Sequence, residues 1–194
     1  MARRRLLLVR HGRSAHVHDG SWIDAIGARR FEALYDAAPI RADEAPPASL
    51  IEAARSANVL IASDLARAIS SARTLAPDRE PVISPLLREV AFKLPAWSPK
   101  LPLGLWDGLY YVRWTAVLFA RTETHETKRA AVAADWIESQ ATDRELTVAI
   151  THGDFRRLLS AKLARRGWRL SPGRRRYHNW SAWELTGPET SRNG

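Results

Sequence analysis

At 194 residues, with 45% hydrophobic and 26% charged residues, the chain reads as one globular domain with room for a sizeable core. It has no cysteine, which excludes disulfides, thiolate metal centres and a cysteine nucleophile, and nothing points to an oxidised setting. The net charge of +9 is local: eight arginines and Lys162 fall between Arg156 and Arg176 with no acid among them, so the rest of the chain is neutral. A basic surface of that kind suits an anionic ligand, but no nucleic-acid-binding motif accompanies it, and nucleic acid is not the expected partner.

The N-terminus opens with Arg3-Arg4-Arg5 before Leu6–Val9. That apolar run is shorter than the roughly 7–15 residues of a signal-peptide core, and no stretch reaches the ~18 of a membrane span, so a cytoplasmic protein without a membrane partner is expected. Arg5–His11 reads as the first buried strand. A helix is expected over about 50–56, where Ser49-Leu-Ile-Glu52 has capping-box spacing. Asn58–Ser63 follows as a strand, then a helix over Leu65–Leu75 capped by Ser63-Asp64, then a short strand at Pro81–Ser84. Ala91–Gly108 interrupts the alternation with three prolines and two tryptophans, and reads as an irregular excursion. Helices over Leu109–Ala120, Lys128–Ser139 and Asp154–Arg166 are expected, with strands at Leu146–Thr151 and Trp180–Leu185. Strand and helix in alternation predict an α/β fold: a three-layer sandwich whose mostly parallel sheet is flanked by helices.

In such sheets ligands bind beyond the carboxyl ends of the strands. The expected ends carry Arg10-His11-Gly12, Ser63-Asp64 with Arg67 a turn later, Leu87-Arg88-Glu89, and Thr151-His152-Gly153-Asp154. Adjacent Arg10 and His11 at the end of a buried strand call for an anion, because burying charge without a partner is costly. An imidazole can attack phosphorus, a second histidine in protonated form and two arginines can hold the phosphoryl oxygens, and Glu89 can protonate a leaving alkoxide. That chemistry needs no metal, since the cations are built in.

The motifs RHG, SDLARA, LRE and THG, in that order over residues 5–186, resemble those of the histidine phosphatase superfamily, also called phosphoglycerate-mutase-like. The resemblance implies a cofactor-independent phosphomonoester hydrolase acting on a small-molecule phosphate ester. It implies His11 as the phosphorylated nucleophile, Arg10 and Arg67 as phosphate ligands, His152 as the second pocket histidine and Glu89 as the general acid. Asp154 is the rival proton donor. The Asn179-Trp-Ser stretch is similar to a late asparagine-containing strand beside the site.

The chain departs from the pattern in three places. Arg13 stands where Glu or Gln often follows RHG. Val17 stands where an asparagine commonly touches phosphate, leaving Ser14, His16 or His18 to substitute, and Ser14 is taken as a phosphate ligand. Val90–Trp97 replaces a glycine-rich stretch. His16-Val-His18 lacks a third ligand and predicts no metal site. Within the same resemblance, a mutase is the nearest alternative, though mutases of this family are usually longer. A non-catalytic module that binds phosphate esters is the other. Residues 91–121 read as a lid whose Trp97, Trp106, Tyr110 and Tyr111 suit a leaving group with apolar or stackable surface. Oligomeric state is not legible.

Overall fold

Side-chain alternation along the first strand divides the molecule into layers. In β1 (Arg5–Arg10), Leu6 and Leu8 enter one apolar cluster, while Leu7 and Val9 enter another on the opposite face. The computed structural model describes residues 4–91, 99–106, 108–109, 111–112, 124–141, 146–172 and 175–188. Within them a six-stranded sheet runs in the order β4–β3–β6–β1–β8–β7, where β3 is Val59–Ser63, β4 Val82–Ser84, β6 Leu146–Thr151, β7 Arg169–Leu170 and β8 Ala182–Thr186. The pairs β1–β6, β3–β6 and β3–β4 are parallel, and β8 and β7 continue the sheet antiparallel. β2 (Trp22–Ile23) and β5 (Leu101–Pro102) form a separate small sheet.

Helices cover both faces, so the expected three-layer α/β fold is the one observed. On one face α4 (His125–Gln140) and α5 (Phe155–Ala164) bury Ala130, Ala133, Ile137, Phe155, Leu159 and Leu163 against Leu6, Leu8 and Ala149. On the other, α2 (Ala48–Ser56) and α3 (Ala66–Leu75) bury Leu50, Ala54, Ala68, Ala72 and Leu75 against Val9, Leu60 and Ile150. These strands are buried on both sides, which is why they read as continuous apolar runs.

Helix starts follow local chemistry, with two departures from expectation. α1 (Ala25–Ala37) begins at Asp24, whose side chain accepts from Gly27 N at 2.8 Å. Thr124 and Thr127 form a reciprocal capping box for α4. α2 instead starts from Pro47, with Ser49 inside the helix, so the Ser49–Glu52 cap does not form. Its far end is closed by Arg79, which donates to the carbonyls of Ala54, Arg55, Ala57 and Asn58. α3 has Leu65 in the capping position, because Asp64 accepts both bonds of the Arg88 guanidinium at 2.7 Å. Of the helix expected over Leu109–Ala120, residues 109, 111 and 112 are helical and the others lie outside the described residues, as does much of the 91–108 excursion. Among the described residues no helix is long and apolar enough to cross a membrane.

Candidate active site

The parallel strands β1, β3 and β6 end at one edge of the sheet, and residues just beyond them meet there. His11 follows β1 directly, its N–H donating to Thr151 O at 3.1 Å across the last rung of the sheet. His152 follows β6, and its ring centroid lies 4.9 Å from that of His11, tilted by 57°. Arg67 enters from the first turn of α3, with its Nε donating to His11 Nε2 at 3.2 Å. Both histidines and Arg67 are buried.

That contact defines the form of His11. A guanidinium N–H can only donate, so Nε2 carries a lone pair. Nδ1 lies 2.6 Å from its neighbour's carbonyl, Gly12 O, and therefore holds the ring proton. Burial, then the Arg67 charge, with lesser contributions from Arg10 and Arg156, brings the His11 pKa down to about 3 against the opposing bond to Gly12. The imidazole is neutral at pH 7, with its Nε2 lone pair accepting from Arg67.

His152 is held well below its ordinary value too, by burial first and then by His11, Arg67 and Arg10. The expectation of a protonated His152 is thus corrected: without a nearby anion the ring is neutral at pH 7. Its Nε2 meets Ser63 Oγ at 2.9 Å, while Nδ1 is buried and makes no hydrogen bond.

The cations around this pair differ in how far they are satisfied. Arg67 Nη1 donates to Asp36 Oδ1 at 2.8 Å and Tyr35 O at 3.1 Å, and its guanidinium lies 4.4 Å over the Tyr35 ring. Arg10 donates to Tyr177 O, but its buried Nε has no partner. The Gly153 Cα lies so close that an added Cβ would sit 3.5 Å from the Arg10 guanidinium carbon. Arg156, counted in the basic stretch, is no surface residue. It is fully buried, donates to Ser181 O, Ser181 Oγ and Arg176 O, and stacks 4.3 Å over Trp183. Burial lowers its pKa to about 10.

Glu89 sits at the start of α5, where its carboxylate accepts from Phe155 N at 2.9 Å and Val90 N at 3.0 Å. Burial and the neighbouring Asp154 carboxylate nevertheless raise its pKa. Its loop is clasped by Arg129 of α4, which donates to Leu86 O, Arg88 O and Glu89 O at 2.8–3.2 Å while lying 4.1 Å over the Phe155 ring. Nothing in the sequence pattern singled out Arg129, because its partners are backbone carbonyls some 40 residues away.

The site is also braced from behind. Asn179 Nδ2 donates to His11 O at 2.9 Å, and Trp180 N donates to Arg10 O at 3.0 Å. Trp180 has φ +61°, a left-handed conformation costing a non-glycine residue about 1–3 kcal/mol. Gly12 is required by this packing, since an added Cβ would lie 2.5 Å from the Trp180 ring. Gly12 N in turn donates to Ser71 Oγ at 3.0 Å.

Two cavities open at this edge and share Arg10, Glu89, Tyr111 and Asp154. The smaller, of 330 Å³, adds Gly153, Arg157 and Tyr177. The larger, of 540 Å³, adds Arg67 and an aromatic and aliphatic wall. Ser14 belongs to neither lining: it pairs with Ile40 in an isolated bridge, and its Oγ accepts from His16 N at 3.2 Å. His16 and His18 pack against Phe31 at 5.0 and 5.3 Å, Val17 is exposed, and Arg13 turns to Glu44. Thus His11, Arg10, Arg67, His152 and Glu89 are brought to one edge, and His11 and His152, like Ser14, are not among the residues lining either cavity.

No protein-family model and no curated protein matches the sequence. Solved structures do match the backbone. Mycobacterial hydrolase 2 is 20% identical, aligned over 98% of this chain and 84% of its own, with a TM-score of 0.56. Phosphoserine phosphatase from Entamoeba histolytica, in complex with 3-phosphoglyceric acid, is 16% identical over 83% of this chain and 80% of its own, at 0.52. A mycobacterial glucosyl-3-phosphoglycerate phosphatase complexed with VO3 is 19% identical over 84% and 82%, at 0.51. The chain has the phosphoglycerate-mutase-like α/β fold.

Proposed function

We propose that the protein is a phosphomonoester hydrolase that works through a phosphohistidine at His11 Nε2. The observation that carries this reading is the orientation of His11. Its proton is tied to Gly12 O and its lone pair faces a guanidinium, at the strand ends where Arg10 and His152 also have unpartnered nitrogens. The fold shared with solved phosphatases supports it.

Substrate phosphate enters among Arg10, Arg67 and His152, whose charges and N–H groups receive its oxygens. Ser63 Oγ, which accepts from Leu65 N at 3.4 Å, has one proton to give. Given to His152 Nε2, it leaves the His152 proton on Nδ1, so the neutral ring donates to a phosphoryl oxygen. His11 Nε2 then forms the N–P bond as the ester P–O bond breaks. Glu89, its pKa raised, delivers a proton to the departing oxygen. Water next attacks phosphorus, loses its proton to Glu89, and the N–P bond breaks to release inorganic phosphate and neutral His11.

Rapid quench of the enzyme with a ³²P-labelled ester into alkaline detergent tests this, because phosphohistidine survives alkali. Label is expected on wild-type protein and absent from His11→Ala. Normal phosphate release with no trapped label, or with label retained in His11→Ala, would overturn the assignment.

A further inference from the structure

The two cavities differ in what they can accept. Arg67, whose Nε touches the nucleophilic nitrogen, lines the larger cavity and not the smaller. The larger cavity therefore reaches the guanidinium that contacts His11, although His11 and His152 themselves line neither cavity. Its wall is built from Phe31, Tyr35, Leu65, Val90, Leu103 and Trp106. Phe31 and Tyr35 stack at 5.9 Å with an interplanar angle of 30°, and Tyr35 continues the stack onto the Arg67 guanidinium. This makes an apolar wall that runs to Arg67, and because the ring faces of Phe31 and Tyr35 are engaged with their neighbours, a planar ring entering the cavity meets aromatic edges and aliphatic groups.

The charges along the same wall run against a second anion. Its cations among the described residues are Arg10, Arg67 and Arg88. The first two serve the phosphate, and Arg88 is already bound through two nitrogens to Asp64 at 2.7 Å. Asp36 is likewise paired, with Arg67 at 2.8 Å, while Glu32 adds a carboxylate to the lining, so a carboxylate or second phosphate placed there would meet no uncommitted cation among the described residues and a like charge at Glu32. At 540 Å³ the space suits a small organic leaving group.

We propose that the larger cavity receives the leaving alcohol and selects one with a flat apolar body and no second anionic group. This rests on the hydrolase reading above and narrows its substrate class to esters of aromatic or similarly planar alcohols, away from phosphorylated sugars and phosphorylated carboxylic acids.

Steady-state phosphate release from primary-alcohol esters, whose leaving groups have similar basicity, tests the selection. With the full chain, kcat/KM for 2-phenylethyl phosphate is expected roughly tenfold or more above that for glycerol 3-phosphate, as burial of a phenyl ring implies. The value for 3-phosphoglycerate is expected below both. Leu103→Ala narrows the first ratio, and Glu32→Lys raises 3-phosphoglycerate relative to glycerol 3-phosphate. Calorimetric binding of 2-phenylethylphosphonate against methylphosphonate and phosphonoacetate reads the same pocket without turnover, and the aromatic ligand is expected to bind tightest. Equal or better use of glycerol 3-phosphate or 3-phosphoglycerate, with no aromatic preference in binding, overturns the inference while leaving the hydrolase reading intact. Tight binding of the aromatic phosphonate with no phosphate release from any ester keeps the pocket assignment and overturns the hydrolase reading.

Discussion

At the scale of single residues, the division of labour among the ionisable groups comes from environment rather than type. His11 and His152 are kept neutral by burial beside guanidinium groups, and Glu89 is pushed toward its protonated form by burial beside Asp154. These are the directions that the proposed first step, attack by His11 with proton delivery from Glu89, requires. Glu89→Gln keeps the shape and removes the proton. It is expected to lower kcat by about 10²–10⁴-fold for an alkyl phosphate and much less for 4-nitrophenyl phosphate, whose leaving group needs no protonation. Steady-state rates on the two esters check this; equal losses on both would make Asp154 or solvent the proton source. At this scale the sequence was most legible in placement, since the histidines and arginines at the expected strand ends do lie together. Ser14 shows what sequence proximity leaves out: it is held in a bridge to Ile40 with its Oγ accepting from His16 N.

At the scale of elements, what carries the site is held by side chains reaching backbone carbonyls. Arg129 crosses from α4 to the Leu86–Glu89 loop, while Asn179 and Trp180 grip the end of β1 from the segment before β8. Arg129→Met removes three donors to that loop and keeps most of the packing on Phe155. The variant is expected to lose kcat more than KM, and to depend more steeply on leaving-group basicity than wild type, because Glu89 is displaced while the phosphate ligands stay. A series of aryl phosphates measures that slope; an unchanged slope would confine Arg129 to stability. Contacts of this kind leave no trace in periodicity. The strands at 58–63 and 146–151 were legible because double burial makes continuous apolar runs. By contrast α1 was missed, its Ile26 and Leu34 being exposed and only Ala25 and Ala28 buried.

At the scale of the whole molecule, the site is a concentration of charge that the fold tolerates under one set of protonation states. The His11 pKa lies near 3 in the folded protein and at 6.5 for an unperturbed side chain. Between those values the unfolded chain binds more protons, so this group's contribution to stability is present above pH 6.5 and is lost as pH falls toward 3. His152 acts in the same direction. Glu89 acts oppositely, because its raised value favours the folded state at low pH and loses that contribution as pH rises above 4.5. Thermal melts across pH 4–8 are expected to give a Tm that falls more steeply on acidification in wild type than in His11→Asn. Parallel curves would mean that His11 does not titrate on unfolding. The order of motifs around the sheet was readable because parallel strands must end at one edge. The burial of Arg156, an arginine from a run that reads as surface, was not.

In the proposed reaction, the bond between Arg67 Nε and His11 Nε2 has a kinetic meaning. While that bond stands, the lone pair that would attack phosphorus is occupied as an acceptor. When the nitrogen turns to phosphorus, the same N–H is left facing the incoming phosphoryl oxygens and can pass to one of them. The donor exchanges one acceptor for another in the motion that forms the N–P bond, and it exchanges back when water takes the phosphoryl group away. A buried guanidinium thereby goes through the whole cycle without an orphaned N–H, and the nucleophile is unmasked only by the group it is meant to attack.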